Sequence, residues 1–248
     1  MRKQKKKSVI PMVLLAASAG LLLCSTVGST RAALAYYSEN YAAEVAVSSI
    51  GVSLTENGEI VSRRNFTGSG SWDEAQGELL TKLLEEGSSV TPGREYPERI
   101  GVTNSGSIDA YVRVIITKSW MDADGKDTSL SPALIQLNYT GNGWMIDESA
   151  STAERTVLYY TGMVPAGGST PDLTDTIKID SAAAGKATQT VTESNGQKTI
   201  TTTYDYDGYQ FRIDAEVDAV QAHNVQDAVK SAWGVDVNIA ADGSLGLK

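Results

Sequence analysis

The side chains able to catalyse or to bind metal are few, and their spacing narrows the chemistry at once. His223 is the sole histidine of 248 residues, so neither a histidine pair on one helix face nor a histidine-based triad can be assembled. It stands beside Asn224 at an expected strand-to-helix junction, where a lone histidine reads as a structural hydrogen-bonder. Cys24 is the sole cysteine and lies in an apolar run, so thiol catalysis and thiolate metal sites are excluded from the chain beyond it. The 30 carboxylates suffice by number for a glycosidase pair, but nothing marks any two of them as converging. The turns Asp122-Ala123-Asp124-Gly125 and Asp205-Tyr206-Asp207-Gly208 offer oxygen ligands of the kind calcium takes. They lack the full spacing of a calcium loop, and Asp-Gly is also an ordinary turn signal. No glycine-rich phosphate loop occurs. The expectation is a non-enzyme with no catalytic residues, no metal and no cofactor, whose function lies in its contacts.

The N-terminus says where those contacts are made. Arg2, Lys3, Lys5, Lys6 and Lys7 precede an apolar run over residues 9–27, and small residues then lead to Ala33-Leu34-Ala35. A positive region, an apolar region and an A-x-A site in that order make a secretory signal peptide. The run is long enough to serve instead as a permanent anchor, but Pro11, the Ser and Gly residues and the A-x-A site favour cleavage after Ala35. Leu22-Leu23-Cys24 hints at lipidation, against which stands the bulk of Leu23. The expected organisation is a leader over 1–35 and one domain over 36–248, placed in the extracellular matrix or at the cell surface. Membrane contact is expected only through the uncleaved leader.

Cleavage would leave 213 residues without a cysteine, long enough to stabilise a core with no disulfide. Six of the 21 basic residues leave with the leader and none of the 30 acidic ones, so 15 bases face 30 acids, a balance of −15. Such a surface repels nucleic acid and anionic membrane, and nucleic-acid binding is excluded.

Most of the remaining chain alternates with period two, the mark of half-buried strands. Over 44–55, Val45 and Val47, then Val52 and Leu54, alternate with small or polar residues. Residues 100–104 lead into the turn Asn104-Ser105-Gly106-Ser107 and on to 110–120, where Val112, Val114 and Ile116 face one way and Tyr111, Arg113 and Thr117 the other. The two runs predict a hairpin. Residues 134–139, 144–147, 156–160 and 176–180 read as short strands, and Tyr209, Phe211, Ile213, Ala215 and Val217 line a long late one.

Residues 72–86 place Trp72, Ala75, Leu79, Leu80, Leu83 and Leu84 on one helical stripe closed by Gly87. Residues 222–233 form a second expected helix before Gly234. Threonines alternate over 188–204 around Ser194-Asn195-Gly196, which predicts a protruding hairpin, either decoration or a lateral contact. The predicted fold is mainly β, an antiparallel β-sandwich of jelly-roll type with two short peripheral helices.

Four segments in this order resemble one family. The leader ending Ala33-Leu34-Ala35-Tyr36-Tyr37-Ser38-Glu39 is similar to those cut by the dedicated SipW-type signal peptidase of Gram-positive bacteria. Residues 96–120, with Asn104, Gly106, Tyr111 and Arg113, resemble an "N-x-G … Y-V-R-V" hairpin. Leu158-Tyr159-Tyr160 with 164–170 resembles a "YY … PG-x-(S/T)-T" stretch. Gln221, His223 and Asn224, followed by Trp233 and Gly234, resemble the closing strand and helix. The family is that of the TasA/camelysin-like biofilm-matrix and surface proteins.

The resemblance implies a jelly roll that polymerises into extracellular fibres, the freed N-terminal segment of one subunit completing the sheet of the next. Val45 and Val47 would lie on that donor strand, or on an ordinary first strand. It also implies self-association and an accessory matrix or anchor protein as partners. Camelysin members have been classed as metallopeptidases, for which no zinc-ligand set is visible here. The other expectation is a monomeric surface module binding carbohydrate or host protein through Trp120, Trp144, Tyr159 and Tyr160.

Overall fold

A computed structural model of the chain describes residues 49–67, 70–85, 88–185, 187–194, 197–204 and 209–248. The expected leader with Ala33 and Ala35, the segment carrying Val45 and Val47, and the turn 205–208 lie outside the described residues. Within them the fold is mainly β and built from antiparallel sheets, as the alternation implies.

The front sheet runs β3 (Trp72–Ala75), β2 (Glu59–Phe66), β1 (Gly51–Glu56), β5 (Ile100–Thr103). It continues through backbone bonds from Leu173 to Ile100 and from Thr170 to Val102 into β11 (Thr174–Ile179), which pairs with β4 (Glu95–Pro97) and β8 (Ile135–Tyr139). The back sheet runs β14 (Gln210–Gln221), β6 (Ala110–Asp122), β10 (Arg155–Tyr160), β9 (Trp144–Ile146), with β7 (Gly125–Asp127) on the end of β6. Val52, Leu54, Ile100, Val102, Val112, Val114, Ile116 and Leu158 meet between the sheets. Burying each such side chain contributes about 1.5–3 kcal/mol, enough in sum to replace disulfides.

The second face of β6 is buried as well. Tyr111 and Ile115 pack with Val157, Tyr159 and Val220 under α2 (Val225–Trp233) and the hairpin β15 (Val237–Ile239) and β16 (Leu245–Leu247). In α2, Val225, Val229 and Trp233 are the buried positions at helical spacing, Asn224 precedes it at φ 51, and Gly234 ends it at φ 76. The expected helix over 222–233 is thus shorter at its start, because β14 runs on to Gln221 and Asn224 is left-handed before the first turn. The other helix is the single turn α1 (Ala182–Gly185). The threonine-rich segment forms β12 (Ala187–Ser194) and β13 (Gln197–Tyr204), paired in full register as a two-stranded sheet of their own.

Two expectations are corrected. Residues 72–86 are not a helix. Trp72–Ala75 pairs with Arg63–Phe66 as an edge strand, held by the cross-strand ion pairs Arg63–Asp73 (3.2 Å) and Arg64–Glu74 (2.8 Å) and by Arg64 stacked on the Trp72 ring. The chain then runs irregularly through 76–85, its four leucines half-buried against the inner core. Pairing and anchoring outweigh an intrinsic helical preference of a few tenths of a kcal/mol per residue. Nor do β5 and β6 make a hairpin. β5 pairs with β1, β6 pairs with β10 and β14, and residues 104–109 carry the chain from one sheet to the other.

Candidate functional site

The crossover 104–109 is organised by Asn104, which is 1% exposed. Its Nδ2 donates to Ile108 O (2.8 Å) and Val164 O (2.9 Å), and its Oδ1 accepts from Gly106 N (3.0 Å). Such a buried amide is expensive unless every polar atom is matched, and here it is matched. A Cβ on Gly106 would sit 2.6 Å from Gly51 N and from Ser49 O, so only glycine lets the turn lie against the start of β1. Ser107 N–H donates to Ser49 O (2.8 Å), and Ser49 N–H to Ser107 Oγ (2.8 Å). The crossover therefore pins Ser49, just before the start of β1.

Tyr111, Arg113 and Trp233 come together on the outer face of the back sheet. Tyr111 OH donates to Gly243 O (2.6 Å), and burial raises its pKa. Arg113 Nε donates to Asp218 on β14 (3.0 Å), its guanidinium lies 5.2 Å from the Trp233 ring centroid, and that ring packs on Tyr159. These groups clamp β14 and α2 to β6. Gln221 is exposed and pairs with Ala110 at the end of the same ladder.

His223 belongs to neither cluster. It is exposed at the turn into α2, and among the described residues its ring makes no hydrogen bond, so the expected role as a structural hydrogen-bonder is corrected. His223→Ala should change the unfolding free energy by less than about 0.5 kcal/mol in a urea titration, as surface substitutions generally do.

The aromatic positions offered for a sugar site are structural. Trp120 is 3% exposed with its Nε1 on Ser131 O (3.0 Å), and Trp144 is 6% exposed with its Nε1 on Pro171 O (2.9 Å). Tyr159 is buried and Tyr160 packs on Trp144. Among the described residues no three His, Cys, Asp or Glu side chains form a metal-holding group, and no helix is long and apolar enough to cross a membrane.

Two features carried no sequence signal. One is a cleft of about 900 Å³ on the open side of the sandwich. Val52 and Leu54 form its floor, β2 and residues 76–80 one wall, and residues 210–218 of β14 the other. Among the described residues β14 pairs only with β6, and residues 210–218 line the cleft, so no described strand lies along the second edge of this 12-residue strand. Phe211, Ala215 and Val217 are half-buried on its inner side, and Arg212, Asp214, Glu216 and Asp218 stand on the other.

The second feature is a buried carboxyl pair. Glu56 and Glu98 are 7% and 1% exposed, brought side by side because Glu56 pairs with Ile100. Asn57-Gly58, both at positive φ, turns β1 into β2 there, and Asn57 Oδ1 accepts from Arg99 N. Glu98 Oε2 receives only a long bond from Asn57 (3.4 Å), and Oε1 has no donor. Burial and the neighbouring Glu56 push Glu98 up to about 8, which favours its neutral, protonated form beside Glu56. Glu56 Oε1 in turn accepts from Leu80 N (2.5 Å). Compared with known proteins, the chain matches no family model, no curated protein and no solved structure.

Proposed function

We propose that this chain is an exported structural protein, a subunit of an extracellular matrix or surface fibre assembled by strand addition. The observation that carries the reading is the second edge of β14, which no described strand covers, beside a cleft lined by Val52 and Leu54. A row of unpaired N–H and C=O groups is a template for another strand, and adding one satisfies many groups at once. The occupant is residues 36–48 of a second copy. Fully extended they cover about 40 Å at roughly 3.3 Å per residue, the length of the 12-residue β14. Val45 and Val47 alternate as the inner side of β14 does, so their side chains would meet Leu54, Ala215 and Val217.

The crossover through Asn104 and Gly106 fixes Ser49, the residue that follows that segment. A contact made at one end of the molecule and received along another surface is head-to-tail, and when it does not close it yields a filament. The ordered motifs resembling TasA/camelysin-like proteins, and the expected leader before Tyr36, agree with this reading and with assembly outside the cell. An accessory or anchor protein could occupy the last free edge of such a filament.

Subunits of charge −15 repel one another, so salt should accelerate growth. Raising ionic strength from 0.1 to 1 M shortens the screening length from about 10 to about 3 Å. Light scattering and electron microscopy of the chain beginning at Tyr36 should show filaments that elongate faster at high salt. Monodisperse protein at every salt concentration would refute the reading and favour a monomeric binding module.

A further inference from the structure

The cleft beside β14 is not open along its whole length. Residues 76–80 form the wall opposite β14, and Leu79, Leu80, Leu83 and Leu84 pack against the inner core. This stretch belongs to no strand or helix, and among the described residues its hydrogen bonds and ion pairs include three. Leu80 N–H donates to Glu56 Oε1 (2.5 Å), and Lys82 Nζ meets Glu59 in an ion pair with both side chains about 70% exposed. Leu83 N–H closes a local turn onto Leu80 O (3.1 Å). Gly77 lies against β2 so closely that a Cβ there would be 2.4 Å from Val61 O, which marks the point where the stretch leaves the sheet.

Leu80 itself is held at φ 67, a left-handed conformation that side chains with a Cβ disfavour. A strained residue persists where its surroundings force it, and the bond to Glu56 together with the leucine contacts does so here. Segments with half-buried contacts, no ladder bonds and stored backbone strain open at the low end of a protein's stability range.

We infer that residues 76–85 are a displaceable strap that narrows the cleft beside β14 in the soluble subunit and moves aside when a strand from a second copy enters. The inference rests on the strand-addition reading and adds its control. Leu79 and Leu80 border the cleft beside Val52 and Leu54, the side chains that Val45 and Val47 of the incoming segment would cover, so a seated strand displaces them. Displacement releases Leu80 from its left-handed conformation. The exchange of one set of apolar contacts for another, plus a new ladder, favours the filament, while the strap delays assembly until a partner is present.

Hydrogen exchange read by mass spectrometry, on the chain beginning at Tyr36 before and after assembly, tests strap and reading separately. In the soluble protein the amides of Leu80 and Leu83 should be protected and those facing the free edge of β14 should exchange quickly. After assembly β14 should gain protection and the strap should lose it. If β14 gains protection while the strap keeps its own, the strap inference is wrong and strand addition stands. If β14 gains nothing, both fail. A Leu83→Ser/Leu84→Ser chain, with its strap anchors weakened, should elongate about tenfold faster at equal concentration and salt. An unchanged rate from this folded variant would also overturn the strap.

Discussion

Replacing Glu98 by glutamine should make the folded protein nearly indifferent to pH between about 5 and 8, a range in which the parent chain steadily loses stability. The carboxyl of Glu98 is buried against Glu56, and its pKa is raised from the ordinary 4.5 to about 8. Between those values the folded chain retains a proton that the unfolded chain has released. The contribution is therefore complete below about 4.5 and is lost as pH rises through about 8. At about 1.4 kcal/mol per pH unit, the loss over those 3.5 units is on the order of 4 kcal/mol by pH 8. Glutamine keeps the shape and an N–H donor towards Glu56 but cannot ionise. Urea unfolding at pH 5, 6.5 and 8 should show parent stability falling while Glu98→Gln stays level, so that the variant is the more stable at pH 8. Parallel curves for the two proteins would mean that Glu98 is ionised in the fold.

Removing residues 36–48 should abolish elongation and leave a soluble subunit. The described core needs none of that segment, since β1 begins at Gly51 and is paired on both sides, with β2 and with β5. The reading assigns the segment an intermolecular task only. Val45→Pro should act in the same direction, because proline removes a ladder donor and its ring disfavours a central strand position. Relative to the parent, growth followed by light scattering should fall about a hundredfold for the proline chain, and urea unfolding should coincide for the two. The hundredfold figure corresponds to about 2.7 kcal/mol of lost contact. Elongation of the truncated chain at the parent rate would show that strand addition is not how subunits meet.

The parts of the fold legible in sequence are those governed by local periodicity. Val112, Val114 and Ile116 against Tyr111 and Arg113 gave both faces of β6, and Phe211, Ile213 and Ala215 gave β14. Trp233 and Gly234 gave the end of α2. Ser194-Asn195-Gly196 foretold the hairpin of β12 and β13, and the same Asn-Gly signal at Asn57-Gly58 marks the turn from β1 to β2.

Pairings set over long separations left no such mark. The turn at Asn104 looked like a hairpin because its residues suit a turn. Asn104 instead bonds to Val164, 60 residues away, and that bond directs the chain across to the other sheet. Residues 72–86 carry a helical stripe, yet edge pairing with Arg63 and Arg64 takes their first third. Glu56 and Glu98 lie far apart in the chain and meet only through the register of β1 with β5. The cleft is a product of which strand ends the back sheet, and composition carries no information about that.

The central claim is that residues 36–48 of one subunit lie along β14 of another, and disulfide trapping reads this contact directly. The only native cysteine is Cys24, which a chain beginning at Tyr36 does not contain, so introduced cysteines react without competition. Facing positions on neighbouring strands place their Cβ atoms about 4.5–5.5 Å apart, close to the reach of a disulfide. Two preparations are mixed, one carrying Val45→Cys and the other Ala215→Cys or, for the adjacent register, Val217→Cys. They are allowed to assemble, oxidised and run on a denaturing gel without reductant. The account expects a covalent dimer in at least one assembled mixture and none from the same proteins oxidised before assembly. Filaments that yield no 45–215 or 45–217 dimer, or a chain carrying both cysteines that closes only on itself, would contradict it.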